Sequence, residues 1–448
     1  MSLFDRFRRP RPTSEQLERL SRITHGQQRK ALLSAIERGE EIPAYAWEPL
    51  PENFDTASVA RRVEEQLRTD VGPQIIDAVY QGMGIDQAWS VREARGFTWW
   101  GHRLGQRIWA EPARDSDGFA VVRLSAETAV LRNVPNTREL ADRLAGFNHH
   151  ASMSAFVWDP TQASISLRCA AYAHPETAES VKGLFLAACG LQAADAHIKA
   201  DPLAQLLGGH PAVSEHPLSG PRPKPDNMLS VIEQLFAPRG AGPGPFSHEE
   251  FAAAARSRVL PWTDPQAKGL TLRGIVRSAD RPSGTGLLTM SGDSRHPQLG
   301  SGLLSVLSIP IEYEPDMLLA VSHELNLAEA TTATARSYFF GAWCPEPKPR
   351  QGLAFASFIP TASCRPGLLD AIGLSMAARA AWATHLIEAA STEMKATREE
   401  SGALEIPQNT LSRSIGRVLE WQAAAALDRI HQQLGSQGTE ASEEDGGE

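Results

Sequence analysis

The sequence predicts an α+β protein of two tandem units, each an antiparallel sheet backed by helices in the order α-β-β-β-α-β-β-α. Two stretches share one wording. Glu139-Leu-Ala-Asp-Arg-Leu-Ala-Gly-Phe-Asn148 leads through a Ser/Met-rich approach to Phe156-Val-Trp158-Asp-Pro160. Asp316-Met-Leu-Leu-Ala-Val-Ser-His-Glu-Leu-Asn326 leads through a Thr/Ala-rich approach to Phe340-Gly-Ala-Trp343-Cys-Pro345. An apolar strand and a long Ala-rich stretch follow in both, and a Pro/Gly-rich stretch lies between the two copies. On this alignment Asn148 corresponds to Asn326, Trp158 to Trp343, Pro160 to Pro345 and Leu184 to Leu368. Two copies of one unit in a chain can pack as a covalent pseudo-dimer.

Thr13 and Gln16 have the spacing of a capping box, and Leu17, Leu20, Ile23, Leu32, Leu33 and Ile36 give the helix they open an apolar side. A second helical stretch covers about 55–81, broken near Gly72-Pro73 because proline is poorly tolerated inside a helix. Strands are predicted at about 104–110, 119–124 and 128–134, with the turn Asp115-Ser-Asp-Gly118 as a hairpin signal. Asn136-Thr137 caps a middle helix that ends near Phe147. Strands at about 153–158 and 163–172 flank the Asp159-Pro160 turn, and Pro175-Glu176 starts a helix to about Ala200. Ser247-His-Glu-Glu250 begins the second copy, with strands at about 269–279, 285–292 and 302–311. A helix from Pro315, strands at about 333–343 and 351–360, and an Ala-rich helix from Pro366 to about Ala396 complete it. Leu411, Ile415, Val418, Leu427, Ile430 and Leu434 share one face of a last helix.

The expected organisation is a helical N-terminal extension over 1–54, a first α+β unit over 55–207 and a Pro/Gly-rich linker over 208–246. A second unit over 247–400, a C-terminal helix over 401–435 and an acidic, disordered tail over 436–448 follow.

A chain of 448 residues can bury sizeable cores, and 42% apolar with 22% charged residues is ordinary for a soluble globular protein. No run approaches the roughly 18 apolar residues that span a bilayer. Arg6, Arg8, Arg9 and Arg11 interrupt any signal-peptide core, so the expected location is cytoplasmic, without stable membrane insertion. A net charge of −9 gives no attraction for nucleic acid. Cys169, Cys189, Cys344 and Cys364 form no Cys-x-x-Cys pair, and Cys344 aligns with Asp159 rather than with Cys169. They are read as four reduced, buried thiols.

The element order, the Phe147-Asn148 and Leu325-Asn326 endings of the middle helices, the aromatic strands turning through Asp159-Pro160 and Cys344-Pro345, and the closing helices resemble the type III secretion chaperone-like fold, including the bacterial YbjN-like proteins. The resemblance covers about 57–200 and 247–396. It implies the behaviour of class I chaperones, which pair as homodimers and hold unfolded or extended partner segments. By implication this chain supplies both protomers, as a monomeric internal pseudo-dimer or a low-order oligomer, with a protein client or an export component as partner. It departs from the family in length, in its Pro-rich linker and in its terminal helices, so an adaptor for another export system fits as well.

Strings that carry chemistry are few. The phosphate-loop string is absent, and Gly284-Thr-Gly286 and Gly300-Ser-Gly302 lie beside apolar strands, where hairpin or bulge geometry explains them. His323-Glu324 begins like a zinc-protease helix, but Leu327 stands where the second ligand belongs, which leaves a helix-surface histidine. His149-His150 are adjacent, and adjacent residues rarely converge on one ion. No Gly-x-Ser-x-Gly elbow and no Cys–His pair can be read from spacing. No catalytic residue, cofactor or metal site is therefore expected. Large aromatics fill cores and also dominate binding hot spots. Trp158 and Trp343 are read as core. Trp99, Trp100 and Trp262, expected outside regular elements, are the candidate partner-binding residues. The expected function is a non-enzymatic protein-binding module, a secretion-type chaperone or adaptor. An enzyme with dispersed residues between the units and a regulatory scaffold are the alternatives.

Overall fold

The computed structural model describes residues 13–22, 70–116, 119–150, 152–236, 246–257, 262–278, 281–311, 313–331, 337–347 and 352–401, with isolated positions between 29 and 36. The basic N-terminus, the C-terminal helix and the acidic tail lie outside these residues. Helix α1 (Ser14–Ser21) carries the expected capping box between Thr13 and Gln16. Helix α2 (Gly72–Gly82) begins where the break was expected, with Pro73 in its first turn, where a missing N–H costs nothing.

The fold is mixed α+β with two antiparallel sheets. The first contains β1 (Ser90–Glu93), β2 (Gly96–Trp100), β3 (Gly105–Ala110), β4 (Arg114–Ser116) and β5 (Phe119–Arg132). Helix α3 (Arg138–His149) follows, capped by Thr137, then β6 (Ala155–Asp159), β7 (Ser164–Ala173) and α4 (Ala178–Leu207). The strands lie in the order β1-β2-β3-β5-β7-β6, and β4 and β8 (His210–Pro211) pair with the ends of β5. Helix α5 (Asn227–Phe236) packs on α4.

The second unit starts with α6 (His248–Ala255), whose Ser247 and Glu250 form the expected capping box. It continues through β9 (Trp262–Lys268), β10 (Thr271–Ser278), β11 (Arg281–His296), β12 (Gly300–Ile309), α7 (Pro315–Thr331), β13 (Ala342–Pro345), β14 (Leu353–Pro360) and α8 (Leu368–Ser401). Its strand order is β9-β10-β11-β12-β14-β13. Setting aside β4 and β8, the two sheets share both strand order and connectivity.

Four details differ from the sequence reading. Each unit has four main strands before its middle helix, not three: β1 and β9 are exposed edge strands without apolar alternation, and the buried β2, which holds Trp99 and Trp100, was likewise not expected as a strand. The strands expected at 119–124 and 128–134 are one continuous strand, β5. Asn148 bonds the main chain of Phe156 as Asn326 bonds that of Trp343, so Phe156, two residues before Trp158, is the counterpart of Trp343. Residues 208–226 are not a free linker but a strap across the first unit. The amide of Ala212 donates to Val130 O at 2.8 Å, that of Ser214 to Arg103 O at 2.9 Å and that of Asp226 to Gly101 O at 2.7 Å.

The units dock reciprocally. Helix α3 packs on β13 and α7 on β6; α3 meets α7, and β6 meets β13. Just before β13, Phe339 exchanges main-chain hydrogen bonds with Ala170 of β7, at 2.9 and 3.3 Å. At the matching place before β6, the carbonyl of Ser152 accepts from the amide of Phe358 of β14 at 3.3 Å. One apolar core runs through both units, including Ile76, Phe97 and Phe185 of the first and Phe339, Phe355 and Leu386 of the second. Burying each such large side chain contributes about 1.5–3 kcal/mol. A smaller core under α3 contains Leu144, Phe156 and Leu203.

Candidate functional site

The structure separates the three candidate tryptophans. Trp99 and Trp100 lie within β2 and Trp262 opens β9, so all three belong to strands and the two sets sit in different sheets. Trp99 is fully buried and Trp100 nearly so. Nε1 of Trp100 donates to Ser214 Oγ at 3.2 Å, its carbonyl accepts from Arg222 at 2.9 Å, and its ring meets His216 edge-on at 5.2 Å. The strap thus closes over β2, and neither tryptophan presents a surface to a partner. Trp262 is half-buried and covers Gly274, where a Cβ would stand 2.5 Å from the indole ring. Gly274 is the space this ring occupies.

Trp99 lines a small cavity of about 10 Å³ together with His102, Gln106 and His197. That is room for about one water molecule. Nε1 of Trp99, Oε1 of Gln106 and Nδ1 of His102 have no hydrogen-bond partner among the described residues. The same Gln106 donates to Cys189 O at 2.8 Å and to Gln192 Oε1 at 3.0 Å, which also accepts from Thr128 Oγ1.

The histidines singled out in the sequence join the two units. No group of three or more His, Cys, Asp or Glu side chains that could hold a metal ion occurs among the described residues. His323 is half-buried at the meeting of the two units, and its Nε2 donates to Ala141 O of α3 at 3.1 Å. His149 and His150 diverge: Nδ1 of His149 lies 3.2 Å from Cys344 Sγ, and the carbonyl of His150 accepts from His296 Nε2 at 2.9 Å. Sequence spacing could not show the Cys344–His149 contact, because its members come from different units. A nucleophilic cysteine needs a thiolate. Here burial, helped by Glu346, pushes the Cys344 thiol up to about 12, so it keeps its proton, with His149 Nδ1 at 3.2 Å and Ala354 O at 3.6 Å within its reach. The contact is structural.

A buried ion pair was equally invisible to spacing. Arg379 of α8 is fully buried and grips Glu329 of α7 with two hydrogen bonds, at 2.8 and 3.0 Å. Its guanidinium stands 3.6 Å over the Phe355 ring, and Trp343 Nε1 donates to the same carboxylate at 2.8 Å. From the first unit, Arg123 donates to the carbonyls of Glu329 and Ala330, both at 2.9 Å. These carbonyls belong to the last turn of α7, which has no intrahelical donors to offer them.

The outer faces of the two sheets, turned away from α4 and α8, differ in chemistry. On the first, the paired residues Arg107, Glu127 and Arg168 form a charged row, with Arg168 on Glu127 at 2.7 Å and Arg107 on Glu93 at 3.1 Å. The row at the corresponding register of the second sheet reads Thr289, Val306 and Ala356. Beside it Leu287 and Leu304 are half-buried and Ile275 is 36% exposed. The residues between them in the chain, Val276, Leu288, Met290, Leu303 and Leu307, are fully buried on the helix side. The sheet edges are less open. β1 has four residues, and β9 is broken by Pro265 and by a bulge at Asp264, whose φ is +51°. Short strands, prolines and bulges protect edges from strand addition. No family model matches this chain, nor does any curated protein or solved structure.

Proposed function

We propose that the chain is a non-enzymatic protein-binding module of the secretion-chaperone or adaptor kind. In this reading the two units are copies of one unit joined as an intramolecular pseudo-dimer, and an extended segment of a protein client lies on the outer face of the second sheet. The observation that carries it is the group of part-exposed apolar side chains Ile275, Leu287, Leu304 and Val306 on that face, of which Val306 stands in the row Thr289-Val306-Ala356 where the first sheet carries Arg107, Glu127 and Arg168. Antiparallel sheets commonly leave one face to solvent, and that face is then polar. A face that keeps apolar side chains in part contact with water fits a partner's apolar side chains. The interrupted edge at β9 favours this face over strand addition at the rim.

No helix among the described residues is long and apolar enough to cross a membrane. The four cysteines are buried and unpaired, which suits a reducing compartment such as the cytoplasm.

The test is photo-crosslinking in the native host, with a reactive residue at Leu287 or Leu304 and, as control, at Arg107 or Glu127. The reading expects a discrete protein adduct from the second sheet alone, lost when Val306→Lys is added. Equal adducts from both faces, or none from the second sheet, contradict it.

A further inference from the structure

Helix α3 and the turn after it are one place where the second unit holds the first, and three imidazoles bond across it. His323 of α7 donates Nε2–H to Ala141 O, and His296 at the end of β11 donates Nε2–H to His150 O. His149, the last residue of α3, accepts the Cys344 thiol of β13 at Nδ1. A carbonyl only accepts, so these partners fix the proton on Nε2 of His296 and of His323.

None of the three can take a second proton without loss. Nδ1 of His296 already accepts from the amides of Gln298 and Leu299, at 3.1 and 3.3 Å, and a proton there would set donor against donor. Nδ1 of His323 is buried and has no partner among the described residues, so a proton would add an unmet donor and a buried charge. On His149 a proton at Nδ1 would turn the thiol from the imidazole to the longer contact with Ala354 O, 3.6 Å from Sγ. We infer that these imidazoles are an acid-released latch: the units stay docked while all three are neutral and part as they are protonated.

The charged and titratable neighbours are of both signs. Asp142 of α3 faces His323, and Asp195 and Lys199 of α4 face His296 together with His150. His150 adjoins His149, with Cys344 and Glu346 across from it. Burial pushes all three histidines below the ordinary 6.5, and for His296 and His323 the opposing pull of the His150 and Ala141 carbonyls, and then of Asp195 and Asp142, does not overcome it. The docked state therefore binds fewer protons than the parted state. Docking is unaffected above 6.5 and weakens as the pH falls from there towards each docked value.

Hydrogen exchange of the full chain, read by mass spectrometry from about pH 8 to about pH 5 and corrected for intrinsic rates, tests the latch. The reporters are the cross-unit amides of Ala170, Phe339 and Phe358; the references are the amides of Phe156 and Trp343, bonded within a unit. The expected result is a loss of reporter protection on the order of tenfold or more at the acid end, with the references held. The triple variant His149→Gln, His296→Gln, His323→Gln, which keeps a donor and an acceptor but cannot titrate, should hold its reporters at all pH values. Reporters that stay protected in the wild type, references that open together with them, or a triple variant that responds like the wild type each overturn the inference. Should the triple variant not fold, His296→Gln alone is read: a lower opening midpoint upholds the latch and an unmoved one overturns it.

Discussion

The carboxamide of Asn326 closes both main-chain groups of Trp343: Nδ2 donates to its carbonyl at 2.9 Å and Oδ1 accepts from its amide at 2.8 Å. Asn148 does the same for Phe156, at 3.0 and 2.9 Å. Both asparagines are buried, and each fastens the end of a middle helix to the edge strand that follows it. Replacing either with leucine strands a buried N–H and a buried C=O. The expected loss is about 2–4 kcal/mol, read as a lower urea midpoint. A midpoint equal to that of the wild type contradicts the clamp.

The Glu329–Arg379 pair should behave as a buried charge pair. Arg379→Met leaves the carboxylate buried and uncompensated, at a cost of about 3–5 kcal/mol. The double variant Glu329→Leu, Arg379→Met removes both charges and should be the more stable of the two. It still leaves Trp343 Nε1 without its acceptor, worth about 1–3 kcal/mol. Equilibrium denaturation of both variants decides it, and a double variant less stable than the single contradicts the account.

The thiols should be silent in the native protein. Burial pushes Cys344 and Cys364 each up to about 12, and burial with a neighbouring Cys169 raises Cys189 well above its ordinary value. A thiol reagent at about pH 8 reacts with thiolates. It should label none of these three quickly before denaturation and all four cysteines after it. A fast native phase that mass spectrometry assigns to Cys189, Cys344 or Cys364 contradicts the account.

The parts of this fold legible in the sequence were those written in local pattern. The Asn-to-aromatic wording located both middle helices and β6, though β13 runs Ala342–Pro345 and not over 333–343, and Pro315 and the Ser247–Glu250 box marked helix starts correctly. Where side-chain pattern was absent, the reading failed. β1 and β9 are exposed edges without alternation, and the strap over 208–226 is Pro-rich and held by main-chain bonds that no residue type announces. The tryptophans were misplaced for a related reason: the sequence shows a large aromatic, but the cover over Trp100 comes from Ser214 and Arg222, more than a hundred residues away. Glu329–Arg379 and His149–Cys344 are long-range pairs whose members lie in ordinary helical and strand contexts. The contrast between the two outer faces became readable only once register aligned Arg107, Glu127 and Arg168 with Thr289, Val306 and Ala356.

The claim on which the rest depends is that the two units dock on each other through α3, α7, β6 and β13. Its most direct measurement is to sever the chain between α5 and α6 and express residues 1–240 and 241–448 together as separate polypeptides. The account predicts that they purify as a one-to-one complex with the hydrodynamic size of the intact chain. Two halves that are each soluble and stay apart contradict it.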